Sequence, residues 1–264
     1  MLLQIVQKGR MSCQTRKGEI MTKGQQRPER FLAPTAYGKE ASYNYDKRRF
    51  SSPHGKLFDK LELEHLHRIS RQLIGQKTAL EIGCGTGRFI KFLLSAGHKV
   101  YGLDPSPYML KQSVKKTSEF EHVAYVLGEG AFIPIQDNTF SFVYCIRTIN
   151  QLPSREYAFR MIQEMIRVCG QQGLILLEFI NSWGIHRKKS VRISVRDIRI
   201  LLKQYPSVKL VNTAGILFFS QRIMNMVPIF LLEVFERADK FFASLLPQFC
   251  TRCYVTLKVE RKEE

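Results

Sequence analysis

The sequence predicts an α/β fold: a doubly wound, mostly parallel sheet with a C-terminal helical cap and an antiparallel edge strand. Three observations predict it. "TALEIG" (78–83) is a short apolar run of the kind a strand buried on both faces requires, and it passes through closely spaced glycines into the amphipathic "GRFIKFLLSAG" (87–97). "HKVYGLD" (98–104) follows at once and completes a βαβ unit. Three more apolar runs, "AYVLGE" (124–129), "FSFVYCI" (140–146) and "GLILLEFI" (173–180), follow, the last two separated by the helix-period segment "REYAFRMIQEMIRVC" (155–169).

Each remaining element has its own signal. Ahead of the first strand, "FSSPHGKLFDKLELEHLHRISRQLIG" (50–75) places Phe58, Leu61, His65, Ile69 and Leu73 on one helical face, with Gly75 as C-cap. In the helix between the last two strands, Ala158, Ile162, Met165, Ile166 and Cys169 face one way. Beyond Phe179 come a basic loop, a helix with Ser194 as N-cap and a sixth strand, all within residues 181–220. "VPIFLLEVFERADKFFASLLP" (227–247) sets Val227, Leu231, Val234, Phe235, Ala238, Phe241, Phe242 and Leu245 on one face of a cap helix. "CYVTLKVE" (253–260) supplies the edge strand. Arg222, Glu233, Glu236 and Arg237 interrupt every window long enough to cross a membrane.

The expected organisation is a disordered basic tail over 1–30 and one domain over 31–264, with core motifs at 78–180 and a cap at about 181–250. The tail is polar and without periodicity, and carries seven basic residues against Glu19 and Glu29. Its apolar stretch, Leu2 to Val6, is too short for a signal peptide, so the expected location is cytoplasmic. With 44% hydrophobic residues the 264-residue chain can build a full core, and its formal charge of +18 directs attention to anionic partners. The six cysteines are scattered, most of them in apolar stretches. Cys250 and Cys253 alone have ligand spacing, and one such pair cannot close a zinc site, so no metal is expected.

The glycine turn carries the chemistry. Gly83, Gly85 and Gly87 permit a tight strand-to-helix turn that a ligand can approach closely, since no Cβ stands in the way. Asp104 ends the next strand 21 residues after Gly83, where an acid accepts hydrogen bonds from a ribose diol. The ligand is therefore expected to be a nucleoside. A dinucleotide turn follows G-x-G-x-x-G, whereas here the third glycine comes one residue early. Glu81, two residues before the first glycine, would repel a pyrophosphate but could neutralise an ammonium. Both features favour S-adenosylmethionine over NAD.

"LEIGCGTG" followed by "GLDPS" closely resembles the cofactor-binding motifs of class I, Rossmann-like S-adenosylmethionine-dependent methyltransferases of the small-molecule type. The resemblance extends through "VLGEGAFIPIQDNTFSFVYCIRTINQLP" and "EMIRVCGQQGLILLEF", covering roughly residues 78–180. It implies S-adenosylmethionine as cofactor, held by Glu81, Gly83, Cys84, Gly85, Gly87, Asp104, Pro105 and Ile146, with Glu129 on the adenine amino group and Gly130 and Ala131 giving backbone contacts. Glu129 stands where relatives usually carry Asp, Ser141 where they often carry an acid, and Gly170 to Gly173 where they often have Pro-Gly-Gly. Arg49, in the segment before the leading helix, could pair with the methionine carboxylate.

No strong catalytic base emerges. His54, Asn150 and Gln151 are the candidates, the two amides being suited to orienting an acceptor and not to taking its proton. Methyl transfer from a sulfonium tolerates this, because positioning supplies much of the acceleration. The expected function is methyl transfer to an O, N or C atom of a small, hydrophobic acceptor, with transient membrane-surface contact through Arg187, Lys188, Lys189, Arg192, Arg196 and Arg199. An RNA methyltransferase using this basic cluster and Trp183, and a catalytically silent S-adenosylmethionine-binding subunit, are the alternatives. An NAD-dependent oxidoreductase is the third. The acceptor's identity and the oligomeric state are not encoded in any motif.

Overall fold

The computed structural model describes residues 37–73, 75, 77–181 and 191–261, together with the backbone of two strands at 2–7 and 10–15. Those strands, β1 (Leu2–Gln7) and β2 (Arg10–Thr15), form an antiparallel pair. They fall inside the segment for which polarity predicted a disordered tail; the rest of that segment lies outside the described residues. After them come two helices, α1 (Lys39–Phe50) and α2 (Pro53–Ser70).

The expected alternation follows: β3 (Thr78–Ile82), α3 (Arg88–Ser95), β4 (Lys99–Asp104), α4 (Pro107–Lys116), β5 (Val123–Leu127), β6 (Phe140–Cys145), α5 (Arg155–Val168) and β7 (Cys169–Ile180). The remainder comprises α6 (Val195–Leu202), β8 (Val208–Ile216), α7 (Gln221–Met224), α8 (Leu232–Leu245) and β9 (Arg252–Val259). Ser194 caps α6 as expected, and Asp197 returns the bond in a capping box.

The strands form one sheet in the order β2-β1-β5-β4-β3-β6-β7-β9-β8, parallel from β5 to β7 and antiparallel at both ends. Contrary to expectation, "CYVTLKVE" is not the outermost strand: β9 inserts between β7 and β8. The burial of the two strands explains this. Seven of the eight residues of β9 are buried, as a strand flanked on both sides requires, whereas β8 is largely half-exposed. Ser141 ties β3 to β6, its Oγ donating to the Thr78 carbonyl at 2.9 Å and accepting from the Thr78 amide at 3.0 Å.

Strand alternation sorts the core into two layers. Leu80, Ile82, Val143, Cys145, Ile175 and Leu177 pack under α5 and α6. Ala79, Val100, Phe142, Tyr144 and Leu176 pack under α2 and α3. The predicted face of α2 is the buried one, from Phe58 to Leu73, although the helix ends at Ser70. Glu81 belongs to the α2 side by the same alternation. This fixes where its carboxylate can point.

The cap helix follows expectation only in part: Val227 is buried with Leu57, Phe58 and Leu61, and Leu231 and Phe235 pack against the same cluster. Its buried line runs through Leu232, Asp239 and Ala243, while Val234, Phe241 and Leu245 are exposed. Asp239 sets this rotation. Its carboxylate accepts the Phe219 amide at 2.8 Å, which turns that face of α8 toward the sheet. The basic loop carrying Trp183, His186, Arg187, Lys188 and Lys189 lies outside the described residues.

Candidate active site

The sheet order reverses between β3 and β6, and a cleft opens at the carboxyl ends of these strands, where open α/β sheets hold their ligands. Its floor is the glycine turn. Gly83, Gly85 and Gly87 all have positive φ, at +71°, +53° and +75°, so each adopts the left-handed conformation that side chains disfavour. Their surroundings differ. A Cβ on Gly83 would lie 2.5 Å from Thr148 Oγ1, and one on Gly87 would lie 2.0 Å from Ser113 Oγ, whereas one on Gly85 would meet nothing within 4 Å. Gly83 and Gly87 are thus glycine for the sake of the protein's own packing. Gly85 opens onto free space.

Asp104 closes the turn from the neighbouring strand. Its Oδ2 accepts the Gly85 amide and its Oδ1 the Ser106 amide, each at 2.8 Å. Each oxygen has a second lone pair beyond the amide it accepts, so the carboxylate can also accept from hydroxyl donors. Burial pushes its pKa up to about 6, against the opposing effect of the two amides. Glu81 is also buried, and burial raises its pKa well above the ordinary carboxylate value; Tyr144 donates to it at 3.1 Å. Two adjacent buried carboxylates at one turn favour a ligand that brings hydroxyl donors and a positive charge.

The wall opposite is contributed by the N-terminal helices. Tyr37, Tyr45 and Phe50 line it, and a set of hydrogen bonds holds it down. Thr86 Oγ1 donates to Asp46 Oδ1 at 2.7 Å, Lys116 pairs with Asp46, and Ser106 Oγ donates to the Tyr37 carbonyl at 2.9 Å. The Arg88 guanidinium stacks over the rings of Phe89 (3.9 Å) and Phe50 (4.3 Å). Ile146, Arg147, Thr148, Gln151 and Leu152 form the third side, with Gly130, Tyr157 and Met161 beyond.

Eight of the expected cofactor residues line the cleft: Glu81, Gly83, Cys84, Gly85, Asp104, Pro105, Gly130 and Ile146. Cys84 is held as a thiol, its pKa raised by burial and by Asp104. Glu129 accepts from Tyr157 Oη at 3.3 Å, so it stands behind a wall residue. Ala131 is buried against the core. Arg49 lies off the cleft, exposed, with its guanidinium 5.8 Å from the Tyr45 ring. Of the candidate catalytic residues only Gln151 reaches the wall, where its Nε2 donates to the Arg147 carbonyl at 2.6 Å. His54 Nε2 donates to the Val227 carbonyl at 3.0 Å, and Asn150 lies off the cleft with its Oδ1 buried. Arg147 and Thr148, which sequence reading passed over, stand immediately after β6, and that position was their available signal.

Residues 80–177 match the family model described as a methyltransferase domain. The match runs from β3 to β7, the strands and helices around the cleft. Among relatives, a demethylmenaquinone methyltransferase of Anoxybacillus flavithermus is 35% identical over 103 residues, covering 37% of this chain and 42% of its own. A sterol 24-C-methyltransferase of Schizosaccharomyces pombe is 25% identical over 192 residues, 68% of this chain and 49% of its own. The chain spans less than half the length of these two relatives. The fold is shared with a possible histamine N-methyltransferase of Thermotoga maritima (TM-score 0.57, 16% identity, 84% of this chain and 98% of that one). It is shared also with the magnesium protoporphyrin IX methyltransferase of Synechocystis with bound S-adenosylhomocysteine (TM-score 0.58, 14% identity, 85% and 96%).

Replacing Asp104 by alanine removes an acceptor from two backbone amides and from any bound diol. Affinity for S-adenosylhomocysteine is expected to fall by about 1–3 kcal/mol, the range for lost charge-assisted hydrogen bonds. Calorimetric titration of the variant checks this, and unchanged affinity would remove Asp104 from the site.

Proposed function

We propose that this chain transfers a methyl group from S-adenosylmethionine to an O, N or C atom of a small, apolar acceptor. The observation that carries the reading is the pair of buried carboxylates at the open glycine turn, Glu81 and Asp104, around the free space above Gly85. Glu81 faces the methionine ammonium, Asp104 takes the ribose hydroxyls, and Gly130 offers its backbone to the adenine. Tyr157 and Glu129 together present an oxygen acceptor for the adenine amino group. The cofactor, when bound, supplies a methyl group already activated on a sulfonium.

The protein's part is then to position and to dry the site. Tyr37, Tyr45 and Phe50 exclude water from one side, and the latch through Asp46, Thr86 and Lys116 keeps them there. Among the described residues no histidine lines the cleft. Gln151 orients the acceptor by hydrogen bonding, and an acceptor proton is lost to solvent. The apolar wall, and relatives named for a demethylmenaquinone and a sterol, support an apolar acceptor that meets the protein at a membrane surface. A cytoplasmic location accords with the five buried cysteines of the described residues, all free thiols.

Binding should depend on pH in a direction the two acids fix. Both carboxylates are raised by burial, so both hold protons in the empty site at higher pH than usual. The ligand needs them ionised. Affinity should therefore rise with pH through about 6 for Asp104, and Glu81 should release a proton on binding. Titrations of S-adenosylmethionine in two buffers of different ionisation enthalpy measure that release; a pH-independent affinity with no proton released would contradict it.

The function itself is tested by incubating the chain with S-adenosylmethionine and a panel of apolar hydroxylated acceptors. S-adenosylhomocysteine formed only when an acceptor is present is the expected result. Cofactor binding without turnover on any acceptor would favour the silent-subunit reading.

A further inference from the structure

The segment between β8 and β9 leaves large apolar side chains in solvent. Met226, Ile229, Phe230, Val234, Phe241 and Leu245 are each at least 60% exposed, and Phe230 reaches 82%. Four of them form a stripe, because Phe230, Val234, Phe241 and Leu245 recur at spacings of one and two helical turns along α8 and the 3₁₀ turn before it. Leu232 and Ala243 on the other side already anchor α8 to the fold. A helix apolar on both faces requires a second apolar phase outside the domain.

The unpaired charges of the cap and of the joint bonded to it select that phase. Lys47, Arg48, Arg49, Lys56, Arg222 and Arg237 are exposed and have no carboxylate partner among the described residues. The first four belong to the α1–α2 joint, which the bond from His54 to the Val227 carbonyl ties to the cap. The acids of α8 are largely spent: Glu236 pairs with Lys60 and Lys240, and Asp239 is buried on the Phe219 amide. Glu233 alone remains. A chain of formal charge +18 repels a second copy of itself, and its unpaired cations complement an anionic surface.

We infer that the exposed stripe of α8, together with the unpaired cations of the cap and of the α1–α2 joint bonded to it, is a peripheral docking surface for a bilayer containing anionic phospholipid. At 14 residues and with charges along it, α8 lies in the plane of the interface; spanning would need about 20 apolar residues. The inference deepens the apolar-acceptor reading and rests on it only for its purpose: Phe50, at the same joint, lines the cleft, so docking brings that wall to the lipid in which such an acceptor dissolves.

Co-sedimentation of the full chain with vesicles tests it, comparing pure phosphatidylcholine with phosphatidylcholine containing about one-third phosphatidylglycerol, at about 0.1 M salt without cofactor. The wild type should pellet with the anionic vesicles and far less with the neutral ones. The double variant Phe230→Glu/Phe241→Glu should lower the bound fraction by about tenfold or more while leaving S-adenosylhomocysteine affinity unchanged. Wild type that stays in the supernatant with anionic vesicles overturns the proposal, and so does a double variant that binds as well as wild type. A concentration-dependent dimer abolished by the double variant, without vesicle binding, would give the stripe to a second copy. Since lipid binding and cofactor binding are read in separate assays, either reading can fail alone.

Discussion

Replacing Glu62 by alanine is expected to cost about 3–5 kcal/mol of folding stability, the range for removing one partner from a buried charge cluster. Glu62 is fully buried in α2 and receives Arg88 NH2 on Oε2 and Arg147 Nε on Oε1, both at 2.6 Å. Arg88 also pairs with Asp59, Glu178 accepts the Arg147 amide at 2.5 Å, and Arg252 pairs with Glu178. The cluster joins α2 to α3 and to the ends of β6, β7 and β9. Without Glu62, two guanidiniums are left in a dry interior with one carboxylate fewer. Burial by itself would raise the Glu62 pKa, but Arg147 and Arg88 pull it below the usual value. Its contribution is therefore fully present above the ordinary carboxylate pKa of 4.5 and is lost as pH falls through the lower folded value. Urea unfolding at neutral pH measures the effect. A cost under about 1 kcal/mol, the level of an exposed pair, would show that the cluster is not dry.

The second large effect distinguishes two glycines of one turn. Gly87→Ala should destabilise the fold by about 2–4 kcal/mol, combining a left-handed backbone that disfavours a side chain with a Cβ forced against Ser113. Gly85→Ala has a similar backbone strain but free space, so it should cost only about 1–2 kcal/mol of stability. Its loss should appear in binding, because the new methyl group occupies the space above the turn. Thermal unfolding and S-adenosylhomocysteine titration of both variants separate the two roles. If Gly85→Ala bound normally and Gly87→Ala folded normally, the assignment of packing to one and ligand space to the other would be wrong.

What could be read from sequence was local. The apolar runs placed β3 to β7, and the face from Phe58 to Leu73 was correct because helical period alone determines it. The glycine turn and Asp104 were legible because their spacing is set by one βαβ unit. Contacts across long separations were not. Glu62 and Arg147 are 85 residues apart, and nothing in either stretch announces the other. The latch from Asp46 to Thr86 is of the same kind, so α1, a polar helix with little periodicity, gave no sign of closing over the turn. Periodicity was right for only part of the inner face of α8: Leu231 and Phe235 pack inward with Val227, but Val234, Phe241 and Leu245 are exposed and the buried acid Asp239 takes an inner position that an apolar count passes over. The insertion of β9 between β7 and β8 was hidden because position in a sheet depends on partners, not on the strand's own residues.

The central claim is that the turn from Gly83 to Gly87 holds S-adenosylmethionine. Calorimetric titration of the purified chain with S-adenosylmethionine, S-adenosylhomocysteine and NAD, at salt sufficient to screen the basic surface, tests it most directly. Binding of the first two in the roughly micromolar range, and none of NAD, is expected. Binding of NAD alone, or of none of the three by a folded chain, would contradict it.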